Sequence, residues 1–246
     1  MNTKKSFNKK LLIPIPIIII GTLIYVFFIR KADFLYTGTI EATKIDISSR
    51  ISSVISSFPG QEGRKVKKGD LLVQMACEDL KLNFEIAKTD FNRAERLFKI
   101  GSLSQENFDH IKGKRDDSML KLDWCTIVAP NDTSILTTCR EAGEYVTPGT
   151  KLLTLINLSE VWTYIYVPQP LLAKISLGMK VIGYLPELKM RPFEGHISYI
   201  SDAAEFTPKN VQTREERTRL VFGVKVTFSN PDELLKPGMS LEVKLE

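Results

Sequence analysis

Gly63-Arg64-Lys65-Val66-Lys67-Lys68-Gly69-Asp70-Leu71-Leu72 is matched eighty positions later by Gly143-Glu144-Tyr145-Val146-Thr147-Pro148-Gly149-Thr150-Lys151-Leu152-Leu153. The shared core is G-x-x-V-x-x-G followed closely by Leu-Leu. Each copy reads as a turn, one buried strand residue, a second turn and an apolar strand. Glycine is expected where the backbone must take a positive φ, so Gly63, Gly69, Gly143 and Gly149 mark the turns, and Pro148 sharpens the last of them. Two similar β half-units with other sequence between them predict one small β domain split by an insertion.

The insertion is helical. Leu80, Phe84, Ala87, Phe91, Ala94 and Phe98 follow a 4-3-4-3-4 spacing, an a/d heptad seam, and the positions around them are mostly polar. The spacing predicts one helix over 78–99, about 33 Å long at the usual rise. Gly101 suits its C′ position, and Ser102-x-x-Gln105 resembles a capping box opening a second helix. A weaker apolar stripe, Phe108, Ile111, Ser118, Met119 and Leu122, runs along that second helix. Two such helices make an antiparallel hairpin too polar to carry a large core, so it is expected to project.

Sequence on either side reads as β. Tyr36–Ile47 alternates as a half-buried strand does, and after Trp124 short strands return. Segments 161–167, 179–184, 195–200, 220–228 and 240–245 suit a small antiparallel barrel, with 170–177 as one short helix. The fold class expected is therefore mainly β with an inserted α-helical hairpin.

Charge narrows the function. The net +5 of this 246-residue chain comes from its first 31 residues, which hold six basic side chains and no acid, leaving 28 basic against 29 acidic residues elsewhere. The body is not basic, which removes the main support for nucleic-acid binding. Leu11–Ile29 is an uncharged run of 19 residues, long enough to cross a bilayer as a helix. Four lysines precede it, which favours a cytoplasmic N-terminal tail (1–10) and an exported body. The bulky, charged Phe27–Lys31 segment reads as an uncleaved anchor (11–29) rather than a processed signal.

Cys77, Cys125 and Cys139 have no metal-ligand spacing, and with only His110 and His196 no metal site is expected. Cys77 and Cys125 flank the insertion, so an oxidising compartment would permit a disulfide between them; three unpaired thiols are the alternative. Neither G-x-S-x-G nor H-E-x-x-H occurs, so no catalytic residue and no cofactor is expected.

These parts in this order resemble the HlyD-like membrane fusion proteins, the periplasmic adaptors of bacterial tripartite efflux and type I secretion systems. The resemblance is carried by Glu62–Leu72, by Thr126–Pro130 with Gly143–Leu153 and Leu158–Trp162, and by Leu235–Met239. It implies a first lipoyl-like half at 36–76, the coiled-coil hairpin at 77–122, the second half at 123–156 and a β-barrel at 157–246. It also implies a non-enzymatic adaptor in a homo-oligomeric ring, six by the family's habit, held in the inner membrane by a single pass.

Arg93-x-x-x-Leu97 with Ser104 matches the hairpin-tip pattern of adaptors that dock onto TolC-like outer-membrane channels. Phe206–Arg217 looks like the barrel loop of adaptors serving ABC-type transporters, with Thr213, Arg214 and Arg217 as pump contacts. An adaptor of a major-facilitator or RND-type pump is the alternative. A lipoyl or biotinyl carrier domain is more remote, because the hairpin replaces the turn that would carry the modified lysine. Two positions depart from the family: Ser53 and Thr133 stand where glycine is usual, which predicts distorted turns there.

Overall fold

The computed structural model describes residues 34–188, 190–206 and 220–245. The tail and anchor (1–29) and the loop residues Thr213, Arg214 and Arg217 lie outside them. Among the described residues no helix is long and apolar enough to cross a membrane.

Among the described residues twelve strands and two long helices make three units. The glycine repeats build a sandwich. One of its sheets has the order β5 (Thr126–Val128), β4 (Leu71–Met75), β2 (Ser53–Ser57) and β7 (Tyr145–Val146). The other joins the end of β1 (Tyr36–Ser48), the start of β8 (Lys151–Pro168), β6 (Thr133–Thr138) and β3 (Lys65–Val66).

The two halves interlock as a pseudo-twofold pair. Gly63 N–H donates to Ile135 O and Ile135 N–H to Arg64 O. Eighty positions on, Gly143 N–H donates to Ile55 O and Ile55 N–H to Glu144 O. Gly69 N–H with Ala129 O, and Ala129 N–H with Asp70 O, are matched by Gly149 N–H with Ser49 O and Ser49 N–H with Thr150 O. Each half therefore closes the turns of the other. Gly69 and Gly149 take φ of 91° and 86°, conformations that cost an L-residue about 1–2 kcal/mol. Leu72, Leu152, Ile55 and Ile135 fill the space between the sheets.

Ser53 and Thr133 correct the expectation of distorted turns. Each begins a strand, pairing with Val146 and Val66 respectively, and neither has a positive φ. These are equivalent positions in the two halves, so the same extended conformation serves both, and a β-compatible residue fits it.

β1 (Tyr36–Ser48) and β8 run through both β units. Their pairing shifts register between Ala42 and Thr43, where Leu158–Glu160 bulge out of β8. Below that bulge β1 pairs with β12 (Ser240–Leu245), and the order β1-β12-β9-β10-β11-β8 closes on itself through β1–β8. Here β9 is Lys180–Leu185, β10 Arg191–Phe206 and β11 Leu220–Ser229. The expected barrel is thus a six-stranded one. Tyr36–Ala42, expected in the first lipoyl half, supplies its sixth strand and carries the barrel residues Ile40 and Ala42. The helix expected over 170–177 is the single turn Gln169–Leu172. Buried Asn230 ties the β11–β12 turn to the bulge, its amide donating to Leu158 O and Leu235 O.

Candidate functional site

The hairpin joins the sandwich at one narrow base. Helix α1 spans Glu78–Lys99 and α2 spans Gln105–Asp123. Cys77 immediately precedes α1 and Cys125 lies just beyond α2; the structure bonds them, with Cα atoms 6.3 Å apart. Both cysteines belong to the sandwich core. Closing a 48-residue separation restricts the unfolded chain by about 4 kcal/mol on loop-entropy grounds. Cys139 is free and exposed.

Leu80, Phe84, Phe91 and Phe98 are half-buried, and Ala87 and Ala94 are buried. Phe108 is the partner that organises the seam, stacked on Phe98 at 4.6 Å and tilted against Phe91 at 5.7 Å. On α2 the inward face is Phe108, Ile111, Arg115, Ser118 and Leu122, whereas Met119 is exposed. Met119 was expected in the stripe and Arg115 was not. A 3-4-3-4 reading passes through Arg115, whose guanidinium lies 4.0 Å above the Phe91 ring and pairs with Asp116. A charge at an a/d position hid it, although a planar cation on an aromatic face is a stable seam contact.

The tip is tightly made. α1 ends in a Schellman motif: Gly101 at φ 74° donates to Phe98 O, and Ser102 N–H donates to Leu97 O. The predicted cap at Ser102 is displaced. Ser104 is the N-cap, its hydroxyl accepting from Asn107 N–H at 3.4 Å. Only two residues separate Gly101 from Ser104, so the turn places the capping hydroxyl two positions later than the sequence signature does.

Arg93 and Leu97 line one groove of about 270 Å³ between the helices, with Leu103, His110, Ile111 and Lys114. Arg93 is exposed, 3.7 Å from Asp90, and Leu97 is 39% exposed. Ser104 caps the neighbouring helix rather than lining the groove. Sequence reasoning missed Ile100, which follows the last residue of α1 and is 73% exposed, together with exposed Leu82 and Ile86 on the helix. At 100° per residue Leu82, Ile86, Arg93 and Leu97 share one flank beside the seam, and Ile100 follows at its end. The other flank is Lys81, Glu85, Lys88, Asn92, Glu95, Arg96 and Lys99. The i, i+4 spacing of Leu82 and Ile86 was the available signal; the stronger seam overshadowed it. Among the described residues no cluster of His, Cys, Asp or Glu is arranged to hold a metal.

Residues 160–246 match the family model for the CusB-like β-barrel domain. A UPF0194 membrane protein of Enterobacter sp. (strain 638) is 30% identical over 287 residues, covering 84% of this chain and 87% of that protein. The chain belongs to the UPF0194 membrane protein family. Another member, from Acidithiobacillus ferridurans, is 38% identical over 119 residues, or 48% of this chain and 35% of that one.

The UPF0194 chain has the fold of the membrane fusion proteins, or periplasmic adaptors. A MacA–MexA chimeric protein containing the Pseudomonas aeruginosa MexA α-hairpin superposes with a TM-score of 0.67 at 18% identity, covering 87% of this chain and 82% of that one. The membrane fusion protein Spr0693 of Streptococcus pneumoniae R6 gives 0.61 at 17% identity, covering 87% and 98%.

Proposed function

We propose that this chain is a non-enzymatic periplasmic adaptor linking an inner-membrane pump to a TolC-like outer-membrane channel, in efflux or secretion. The observation that carries the reading is a narrow two-helix arm, covalently closed at its base, that ends in the exposed apolar residues Leu97 and Ile100. Apolar residues at the end of a projecting polar arm indicate a protein contact. Arg93 supplies a fork of donors for carbonyls on a helical partner. Ser104 keeps its hydroxyl proton available while its oxygen caps α2.

In this reading the body is periplasmic, Leu11–Ile29 anchors it in the inner membrane, and six copies form the ring. The apolar flank of α1 supports side-by-side packing of hairpins. The pump is ABC-type, on the strength of the Phe206–Arg217 sequence with Thr213, Arg214 and Arg217. An RND-type pump is the second reading, favoured by the match of the barrel to the CusB-like model.

The arm is short. The 287 aligned positions exceed the roughly 207 residues that 84% of this chain supplies, so about 80 positions of the Enterobacter relative face gaps. We infer that the hairpin is where this chain is shorter and that its partners span the remaining distance.

Leu97→Asp tests the reading. The tagged chain, crosslinked in cells and purified from membranes, should bring down an inner-membrane transporter in wild type and variant alike. It should bring down an outer-membrane channel in wild type only. Equal channel recovery would remove the tip from the mechanism. The class of transporter recovered decides between ABC and RND.

A further inference from the structure

The barrel has two ends, and the strand register says which one meets the chain that precedes it. β1 enters the barrel at Tyr36. Ile40 pairs with Thr163, so β8 runs back toward that entry and ends there at Pro168. Val221 pairs with Pro168, and Leu220 with Phe206, so β11 begins at the same end. Gly178 N–H donates to Ile197 O, just before β9. With the strand tilt of a closed six-stranded barrel, this brings Leu177 to that rim as well. One rim thus carries Phe34, Leu177 and Leu220, which are 73%, 66% and 47% exposed. Phe34 is not a loose end: its ring packs edge-on against buried Tyr36 at 4.8 Å.

Chain length fixes what faces this rim. Only Arg30, Lys31, Ala32 and Asp33 separate Ile29, the last residue of the apolar run, from Phe34. Five residue steps reach about 18 Å when fully extended. The headgroup zone outside the hydrocarbon core is itself roughly 5–8 Å deep. An apolar run ending at the hydrocarbon edge therefore holds Phe34 within a few ångströms to about 10 Å of lipid headgroups. Aromatic residues favour that zone, and large aliphatic side chains gain by leaving water for it.

We propose that this rim of the barrel is a lipid-contacting surface, with Phe34, Leu177 and Leu220 resting in the headgroup region of the bilayer that holds the chain. The inference rests on reading Leu11–Ile29 as a membrane anchor. It gives the barrel a fixed seat, so the orientation of the hairpin arm is set by the membrane as well as by the ring.

The test uses the full chain reconstituted in phosphatidylethanolamine/phosphatidylglycerol vesicles, with Cys139→Ser and the Cys77–Cys125 bond intact. Single cysteines at Leu177→Cys and Leu220→Cys carry an environment-sensitive dye. Leu188→Cys, an exposed apolar position at the opposite end of the barrel, is the matched control. Lipids brominated near the headgroup should quench the dyes at 177 and 220 at least threefold more than the dye at 188, and aqueous iodide should do the reverse. Equal quenching at all three sites would overturn the proposal. So would protection of 177 and 220 that appears only after an inner-membrane transporter is added, which would make the rim a protein contact. Carbonate extraction separates the premise from the inference: a chain that washes off the vesicles fails the anchor reading, whereas a retained chain with unquenched dyes fails the rim alone.

Discussion

The sandwich and the hairpin are adjacent in sequence and built on opposite principles. In the sandwich each half satisfies the backbone of the other, at Gly63/Ile135 and again at Gly143/Ile55, around fully buried Leu72, Leu152, Ile55 and Ile135. In the hairpin only Ala87 and Ala94 are buried on α1, and no residue of α2 is. The rest is one aromatic seam and a disulfide at the base. A core that closes on itself leaves little surface for a partner. An arm stabilised along a single line leaves two flanks and an end free, and those surfaces carry Leu82, Ile86, Leu97 and Ile100. The difference teaches that the sandwich holds the arm, and that the arm keeps the surface which the proposed contact requires.

The sharpest break of this comparison is Phe108→Asp. Phe108 touches both Phe91 and Phe98, so the change should melt both helices while leaving the β signal intact, as read by circular dichroism of the detergent-solubilised chain. Loss of all structure would show that the hairpin and the sandwich are not separable. Phe91→Glu is the weaker choice, because the new carboxylate would face Arg115 and gain a partner. Leu152→Ala acts on the other side: a cavity in the closed core should cost about 3 kcal/mol and lower the main unfolding transition with the seam untouched.

The pseudo-symmetry is sharpened by Gly69→Ala and Gly149→Ala. A Cβ at either position meets nothing within 4 Å, so backbone strain alone remains. Each variant should lose about 1–2 kcal/mol in chemical denaturation, and the two losses should agree. A large inequality would mean the halves are not mechanically equivalent. The smallest effect belongs to Ser104→Ala, about 1 kcal/mol from the lost N-cap, whereas Ser104→Asp should keep the cap. If channel recovery falls in Ser104→Ala and returns in Ser104→Asp, the hydroxyl serves docking by holding the turn.

Much of this was legible in the residues. G-x-x-V-x-x-G marks turns because few residues other than glycine take φ near 90°, and the heptad seam marks α1 because seven-residue spacing has one helical meaning. Other features were less so. The barrel's sixth strand was hidden because alternation in Tyr36–Ser48 reports a half-buried strand without saying which sheet receives it. Arg115 was hidden because charge outweighs position in a hydrophobic pattern. Ile100 was passed over because exposure at a turn depends on how the turn closes, here through Gly101 and Ser104. Ser53 and Thr133 carry no distortion because the backbone at both positions is simply extended, a conformation that needs no glycine.

Site-specific photocrosslinking in intact cells tests the central claim most directly. A photoreactive residue replaces Leu97 on the apolar end of α1, and in a parallel strain replaces Lys88 on its charged flank. The account predicts a crosslink to an outer-membrane channel from position 97 and none from 88. Crosslinks to that channel from both positions, or from neither while the chain is present in the membrane, would contradict a docking role for the hairpin end.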